Sequence, residues 1–275
     1  MFHPRVLSIA GTDPTGGAGA EADLKAIAAA GGYGMSVITN LVAQNTQGIS
    51  EIHTPPIDFL AAQLLSVSDD VTIDAIKIGM LGQTNIINTV QAWLDDNPHR
   101  LVVLDPVIFT TNGYRLLDED AEATLIKFLS YVTVVTPNVM ELATLCGTTA
   151  PSSMPEAITM AQALADEHDV TVIVKGGRLQ TNLAPNAAVF PTRSGRFPVQ
   201  INAPRVNTTN THGTGCSLAA ALATRLAHGE DLAPALEWTT SWIGEALKGA
   251  DSLNVGRGNG PIDHFAQIRR KIRNF

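Results

Sequence analysis

Short apolar runs recur along the chain at residues 6–10, 35–39, 75–78, 101–104, 132–136 and 171–174, and most are unbroken rather than alternating. Two weaker runs follow at 187–190 and 196–201. A strand with one wet face alternates, so unbroken β-branched runs predict strands buried on both faces, as in a parallel sheet between two helical layers. Helical periods lie between and after them: Ala157, Ile158, Ala161, Leu164 and Ala165 form one stripe, Leu218, Leu222 and Leu226 a second, and Leu232, Leu236, Thr239, Ile243 and Leu247 a third. Beyond residue 201 consecutive helices are expected, packed on the sheet. No linker, repeat or low-complexity tract interrupts the pattern. Residues 1–275 are therefore expected to form one α/β domain, three layers deep, with a largely parallel central sheet and helices on both faces.

Composition narrows function by exclusion. A net charge of -8 opposes nucleic acids, whose binding rests on neutralising lysine and arginine contacts. The one basic cluster, Arg269, Arg270, Lys271 and Arg273, reads as a solvated last helical turn. Cys146 and Cys216 form neither a disulfide framework nor a Cys-X-X-Cys pair, which fits a reducing cytoplasm. The run at residues 6–10 is too short for a signal-peptide core and no later run approaches a membrane span, so an unprocessed cytoplasmic protein is expected. The seven histidines show no His-Glu-x-x-His spacing and predict no zinc site.

Ligands of such sheets bind beyond the carboxyl ends of the strands, so the residues after each run are read together. After the first run comes Gly11-Thr12-Asp13-Pro14-Thr15-Gly16-Gly17-Ala18-Gly19, which has the glycine separation of a phosphate-binding P-loop but places Gly17 and Ala18 where lysine and serine or threonine are required. Gln44-Asn45-Thr46 follows the second run, Gly79-Met80 the third, Asp105-Pro106-Val107 the fourth, Pro137-Asn138 with Glu141 the fifth, and Lys175-Gly176-Gly177 the sixth. Asp105 and Glu141 suit a magnesium ion that keeps some of its waters, and Lys175 suits phosphate charge. Gly213-Thr214-Gly215-Cys216-Ser217-Leu218 starts like a dinucleotide fingerprint, but Leu218 replaces the third glycine, which disfavours a nicotinamide dehydrogenase. What remains is a glycine turn opening a helix, an anion site made of free amides and the positive dipole end. The same dipole is expected to lower the Cys216 thiol toward neutrality, letting it take a hydroxyl proton. His212 stands out by its position beside this turn.

In order, Ser8–Gly19, Ala22-Asp23-Leu24-Lys25, Tyr33–Thr39, Ala43-Gln44-Asn45-Thr46, Lys77-Ile78-Gly79-Met80-Leu81, Leu104-Asp105-Pro106-Val107, Thr136-Pro137-Asn138, Lys175-Gly176-Gly177, Asn210-Thr211-His212-Gly213-Thr214-Gly215-Cys216 and Gly258-Asn259-Gly260-Pro261-Ile262-Asp263-His264-Phe265 resemble the hydroxymethylpyrimidine/phosphomethylpyrimidine kinases of thiamine biosynthesis. The resemblance runs nearly end to end. It implies a ribokinase-like fold and ATP- and Mg2+-dependent phosphorylation of 4-amino-5-hydroxymethyl-2-methylpyrimidine and then of its monophosphate. It also implies roles: Gly11, Asp23, Gln44, Met80 and Val107 line the pyrimidine pocket, and Cys216 faces the hydroxymethyl group. Asp105 and Glu141 serve the metal, while Asn138, Lys175, His212, Gly213, Thr214 and Gly215 serve the nucleotide, with Cys216, Lys175, Gly213 and Gly215 at the point of transfer. The glutamine amide, donor and acceptor side by side, matches an aminopyrimidine's ring nitrogen and exocyclic amine. Asn207 departs from the family pattern, which carries an aspartate there. A pyridoxal kinase, or a kinase accepting both rings, is the nearest alternative, and a non-catalytic pyrimidine-binding protein the alternative of another class. A homodimer is expected, symmetric pairs being the commonest assembly.

Overall fold

The structure is a computed structural model and describes residues 2–98, 101–110 and 113–273. Its elements run β1 (Arg5–Ala10), α1 (Gly19–Ala29), β2 (Tyr33–Ile38), β3 (Leu41–Asn45), β4 (Gly48–His53), α2 (Ile57–Ser68), β5 (Ala75–Ile78), α3 (Thr84–Asp96), β6 (Val102–Leu104), α4 (Glu122–Phe128), β7 (Val134–Val135), α5 (Val139–Leu145), α6 (Met154–His168), β8 (Thr171–Lys175), β9 (Asn186–Val189), β10 (Val199–Ile201), α7 (Thr214–Ala227), α8 (Leu232–Ala250) and α9 (Ala266–Arg273). Eight strands make one sheet in the order β10-β9-β8-β7-β6-β5-β1-β2. Strands β2, β1, β5, β6, β7 and β8 run parallel to one another, while β9 pairs antiparallel with β8 and β10 antiparallel with β9 at one edge.

The unbroken runs behave as their composition requires. Along each central strand alternate residues serve opposite cores: Leu7 and Ile9, Ile76 and Ile78, and Val172 and Val174 join α2 to α6 on one face. Val6, Ala75, Val103 and Ile173 meet α1, α7 and α8 on the other. The contact with α7 depends on a string of fully buried alanines, Ala219 to Ala221 and Ala223, which lets that helix lie close over the sheet. The three-layer α/β/α expectation therefore holds.

Three local expectations need correction. The run at 132–136 supplies only Val134–Val135 to the ladder, because the Val132 N–H closes the preceding turn on the Leu129 carbonyl and Pro137 has no N–H to pair. The run at 196–201 shortens to Val199–Ile201, since Pro198 interrupts it and the Arg196 guanidinium is drawn onto the Phe190 ring, 3.8 Å from its centroid. Gln44, expected in a loop after the second strand, lies instead in β3, which pairs with β4 as a separate two-stranded sheet with an irregularity at Ala43/Gln44. The basic cluster does fall on the last helix, where Arg269 pairs with Asp263 and Arg270 with Glu245.

Candidate active site

A cavity of about 470 Å³ opens beyond the carboxyl ends of the central strands. Gly11, Gln44, Met80, Asp105, Val107, Asn138, Glu141, Lys175, His212, Gly213, Thr214, Gly215 and Cys216 all line it. The carboxyl ends of β1, β5, β6, β7 and β8, far apart in sequence, thus deliver residues to one space, as the parallel topology demands. The lining also includes the apolar residues Ala203, Pro204, Val206, Leu218, Ile243 and Leu247. Asn207 lies one residue past Val206 and is not among the lining residues.

At the centre, Gly213 caps α7 with φ 78, a left-handed conformation that glycine adopts without cost, and a Cβ there would fall 1.7 Å from the Gly17 carbonyl oxygen. Gly215 brings the first turn of α7 against an ion pair: a Cβ on it would lie 3.1 Å from Lys175 Nζ and 3.4 Å from Asp105 Oδ2. Lys175 Nζ donates to Asp105 Oδ1 at 2.5 Å and lies 3.8 Å from Glu141 Oε2. Burial alone would lower the lysine's pKa, but the charges of Asp105 and Glu141 outweigh it and hold the ammonium form. Glu141 is shifted upward, first by its burial, against the pull of Lys175.

Asn138 and Glu141 owe their places to helix capping. Asn138 Oδ1 accepts from the N–H groups of Met140 (2.9 Å) and Glu141 (3.1 Å), and Glu141 Oε2 accepts from the Asn138 N–H at 2.8 Å. This reciprocal box opens α5 at the cavity wall. Asp105 and Glu141 are both buried there. Among the described residues no group of three or more His, Cys, Asp or Glu could hold a metal ion by itself. Two carboxylates beside an anion-binding turn fit magnesium, which retains waters and takes phosphate oxygens rather than a complete protein cage.

The first loop is organised by a residue that sequence reasoning did not single out. Asp13 is fully buried; its Oδ2 accepts from the Gly17 N–H (3.1 Å) and Ala18 N–H (2.8 Å), and its Oδ1 from the Thr15 N–H and hydroxyl. The same Oδ2 lies 2.7 Å from His212 Nε2. Burial opposes its charge, but the bonds from His212 and Thr15 prevail and hold it well below the usual carboxylate range. Asp13 therefore pins the glycine loop to the turn that carries His212.

Two expectations about the cavity floor are overturned. Asp23 does not line the cavity; it is fully buried behind it, where its Oδ2 accepts from Lys77 Nζ at 2.7 Å and Ser8 Oγ at 2.6 Å. Lys77 stands between Asp23 and the cavity. Burial would lower its pKa, yet the neighbouring carboxylates, Asp23 foremost, raise it. A lysine inside an otherwise apolar run was the available signal, because a charge in a doubly covered strand requires a buried partner. Cys216 lines the cavity, but burial pushes its thiol up to about 11, with Lys77 opposing and Asp23 and Asp105 adding to the rise. The helix dipole is outweighed by desolvation, so the resting group is a thiol.

Facing this floor is the hairpin. Val42, Gln44 and Ile49 present side chains to the cavity, and the Gln44 amide has no hydrogen-bond partner within the described residues. Met80 closes the wall beside Gly11, with its sulfur 3.2 Å from where a Cβ on Gly11 would sit. The arrangement can grip a flat polar ring at one end, an anion at the α7 turn, and a larger, partly apolar ligand beyond it.

Residues 13–263 match the family model described as Phosphomethylpyrimidine kinase. The chain is 56% identical over 273 residues to the thiamine biosynthesis multifunctional protein ThiED of Corynebacterium efficiens, covering 99% of this chain and 36% of that protein. It thus spans about a third of the length of such multifunctional relatives. Against the hydroxymethylpyrimidine/phosphomethylpyrimidine kinase of Salmonella typhimurium it is 44% identical over 266 residues, 96% of this chain and 98% of that protein. The Bacillus subtilis pyridoxal kinase, solved as an ADP complex, superposes with a TM-score of 0.88 at 28% identity, covering 97% and 99% of the two chains. The phosphomethylpyrimidine kinase of Clostridium difficile gives 0.77 at 30% identity, covering 89% and 99%.

Proposed function

The chain belongs to the phosphomethylpyrimidine kinase family, and from that membership we propose that it transfers phosphate from ATP to 4-amino-5-hydroxymethyl-2-methylpyrimidine and then to the resulting monophosphate, yielding the pyrophosphate used to build thiamine. One observation carries the reading: the Gln44 amide and the Gly213–Gly215 turn with Lys175 share a single cavity. Gln44 reads the aminopyrimidine edge, Met80 and Val107 hold the ring, and Cys216 meets the hydroxymethyl group. The adenosine part lies along the apolar lining residues Pro204 and Leu247, a class of ligand present as ADP in the pyridoxal kinase complexes of Bacillus subtilis and Staphylococcus aureus.

In the first transfer the hydroxyl oxygen bonds to the γ-phosphorus as the bond to ADP breaks, and the hydroxyl proton passes late to an oxygen of the transferred phosphoryl group. Positioning and charge stabilisation then supply most of the rate, through the α7 amides and the Lys175 ammonium. Magnesium, held by Asp105 and Glu141, would neutralise phosphate charge. Because Cys216 rests as a thiol, its part is to orient the hydroxyl by a hydrogen bond rather than to wait as a thiolate. A homodimer in the cytoplasm completes the proposal.

The test is mass spectrometry of products after incubation with ATP, magnesium and a mixture of hydroxymethyl heterocycles that includes pyridoxal. Pyrimidine mono- and diphosphate are expected. Faster conversion of pyridoxal would instead favour the alternative suggested by the pyridoxal kinase superpositions. Tight pyrimidine binding without product would indicate a binding protein.

A further inference from the structure

One loop, residues 254–260, is bonded simultaneously to the hairpin tip and to the backbone leading into the glycine turn. On the hairpin side, Thr46 Oγ1 accepts from the N–H groups of Arg257 (3.2 Å) and Gly258 (3.1 Å), and the Thr46 carbonyl accepts from the Asn259 N–H (2.9 Å). The approach is close: a Cβ on Gly258 would fall 2.1 Å from the Thr46 carbonyl oxygen. Thr46, although at a hairpin turn, is only 7% exposed. On the other side, Asn259 Oδ1 accepts from the Thr211 N–H (2.8 Å), Asn210 Oδ1 accepts from the Gly260 N–H (2.9 Å), and the Gly260 carbonyl accepts from the His212 N–H (3.1 Å). Asn259 thus touches both partners, one through its backbone and one through its side chain.

The hairpin needs such a tie. A two-stranded sheet is marginal by itself, and among the described residues no ladder joins β3 or β4 to the main sheet. At its root it is held by the Thr12 hydroxyl, which accepts from the Val42 N–H at 3.0 Å. Its tip, two residues from Gln44, is held by the loop. We propose that residues 254–260 form a strap that sets the distance between the base-reading hairpin and the phosphate turn, with Thr46 and Asn259 as positioning residues for the transfer. The proposal rests on the pyrimidine kinase reading. Reacting groups displaced by about 1 Å lose on the order of a hundredfold in rate, so a strap spanning both sites acts on the reaction without touching it.

Thr46→Val preserves volume but removes the acceptor for two N–H groups on the hairpin side alone. It is expected to raise the KM for the pyrimidine about tenfold and lower kcat while leaving the KM for ATP within about twofold of the wild type. Thr46→Ser restores the wild-type values. Asn259→Ala keeps the backbone bond to Thr46 but removes the acceptor for the Thr211 N–H, so it loosens the phosphate-turn side alone and is expected to raise the KM for ATP while leaving the KM for the pyrimidine within about twofold. Independently of any variant, hydrogen exchange of the wild-type protein with the hydroxymethylpyrimidine bound should show protection rising together in residues 41–53 and 254–260. Protection confined to the hairpin, or a folded Thr46→Val enzyme with an unchanged pyrimidine KM, overturns the strap alone. Absence of any phosphorylated pyrimidine from the wild type overturns the functional reading and the strap's role with it.

Discussion

A thiol with a pKa near 11 is a hydrogen-bonding group at neutral pH and not a base. Two outcomes follow for Cys216. In the ligand-free protein its alkylation, followed by peptide mass mapping to separate it from Cys146, should be slow at pH 7 and climb steeply only toward pH 11. A fast reaction at neutral pH would show that desolvation had been overcome. Cys216→Ala should slow phosphorylation of the hydroxymethylpyrimidine roughly tenfold, the scale of one lost hydrogen bond, and the second transfer much less, since the acceptor there is already an anion. Equal losses in both steps, measured separately, would remove a role specific to the alcohol.

At the scale of elements, short capping interactions place the polar groups of the site. Helix α5 has only seven residues and begins at the cavity wall, so its capping box both starts the helix and sets Glu141 beside Lys175. Asn138→Ala should cost about 1 kcal/mol in urea unfolding. It should also raise the magnesium concentration needed for half-maximal turnover, because the first turn of α5, which carries Glu141, loses the side-chain acceptor for its Met140 and Glu141 N–H groups even though the Asn138 N–H still reaches the Glu141 carboxylate. A stability loss with an unchanged magnesium requirement would leave the box purely structural. The hairpin β3–β4 was poorly legible for a related reason: Leu41-Val42-Ala43-Gln44-Asn45 is short and polar at its end, and its position depends on Thr12 and Thr46 rather than on a core of its own.

Over the whole molecule, the C-terminal segment closes the fold through His264, which is buried, lies 2.8 Å from Ser217 of α7 and tilts against Trp242 of α8. Burial, with the charge of Lys25 adding to it, lowers its pKa from 6.5 to about 4. The folded protein therefore resists a proton that the unfolded chain accepts. The stabilisation is complete above pH 6.5 and is lost as pH falls toward about 4; that drop in pKa corresponds to roughly 3 kcal/mol. Urea unfolding across this window should show the loss, and His264→Gln should flatten it. An equally steep slope in the variant would assign the acid sensitivity elsewhere. Asp13, depressed rather than raised among carboxylates, contributes its own loss only below the usual carboxylate range.

Periodicity and residue order by themselves determined the doubly covered, largely parallel sheet and the set of strand ends, because apolar spacing dictates which faces are buried and a parallel sheet sends all its carboxyl ends to one side. Almost all the residues expected at the site do meet around one cavity. Only the tertiary structure decided that Asp23 lies behind Lys77, that Cys216 rests protonated, and that the 254–260 loop straps the hairpin. These depend on solvation and on partners distant in the chain, such as Lys175 and Asp105 at a separation of 70 residues or Gly258 and Thr46 at 212. Local sequence carries no record of such neighbours, and the dielectric that sets an ionisation state exists only once the core has closed around it.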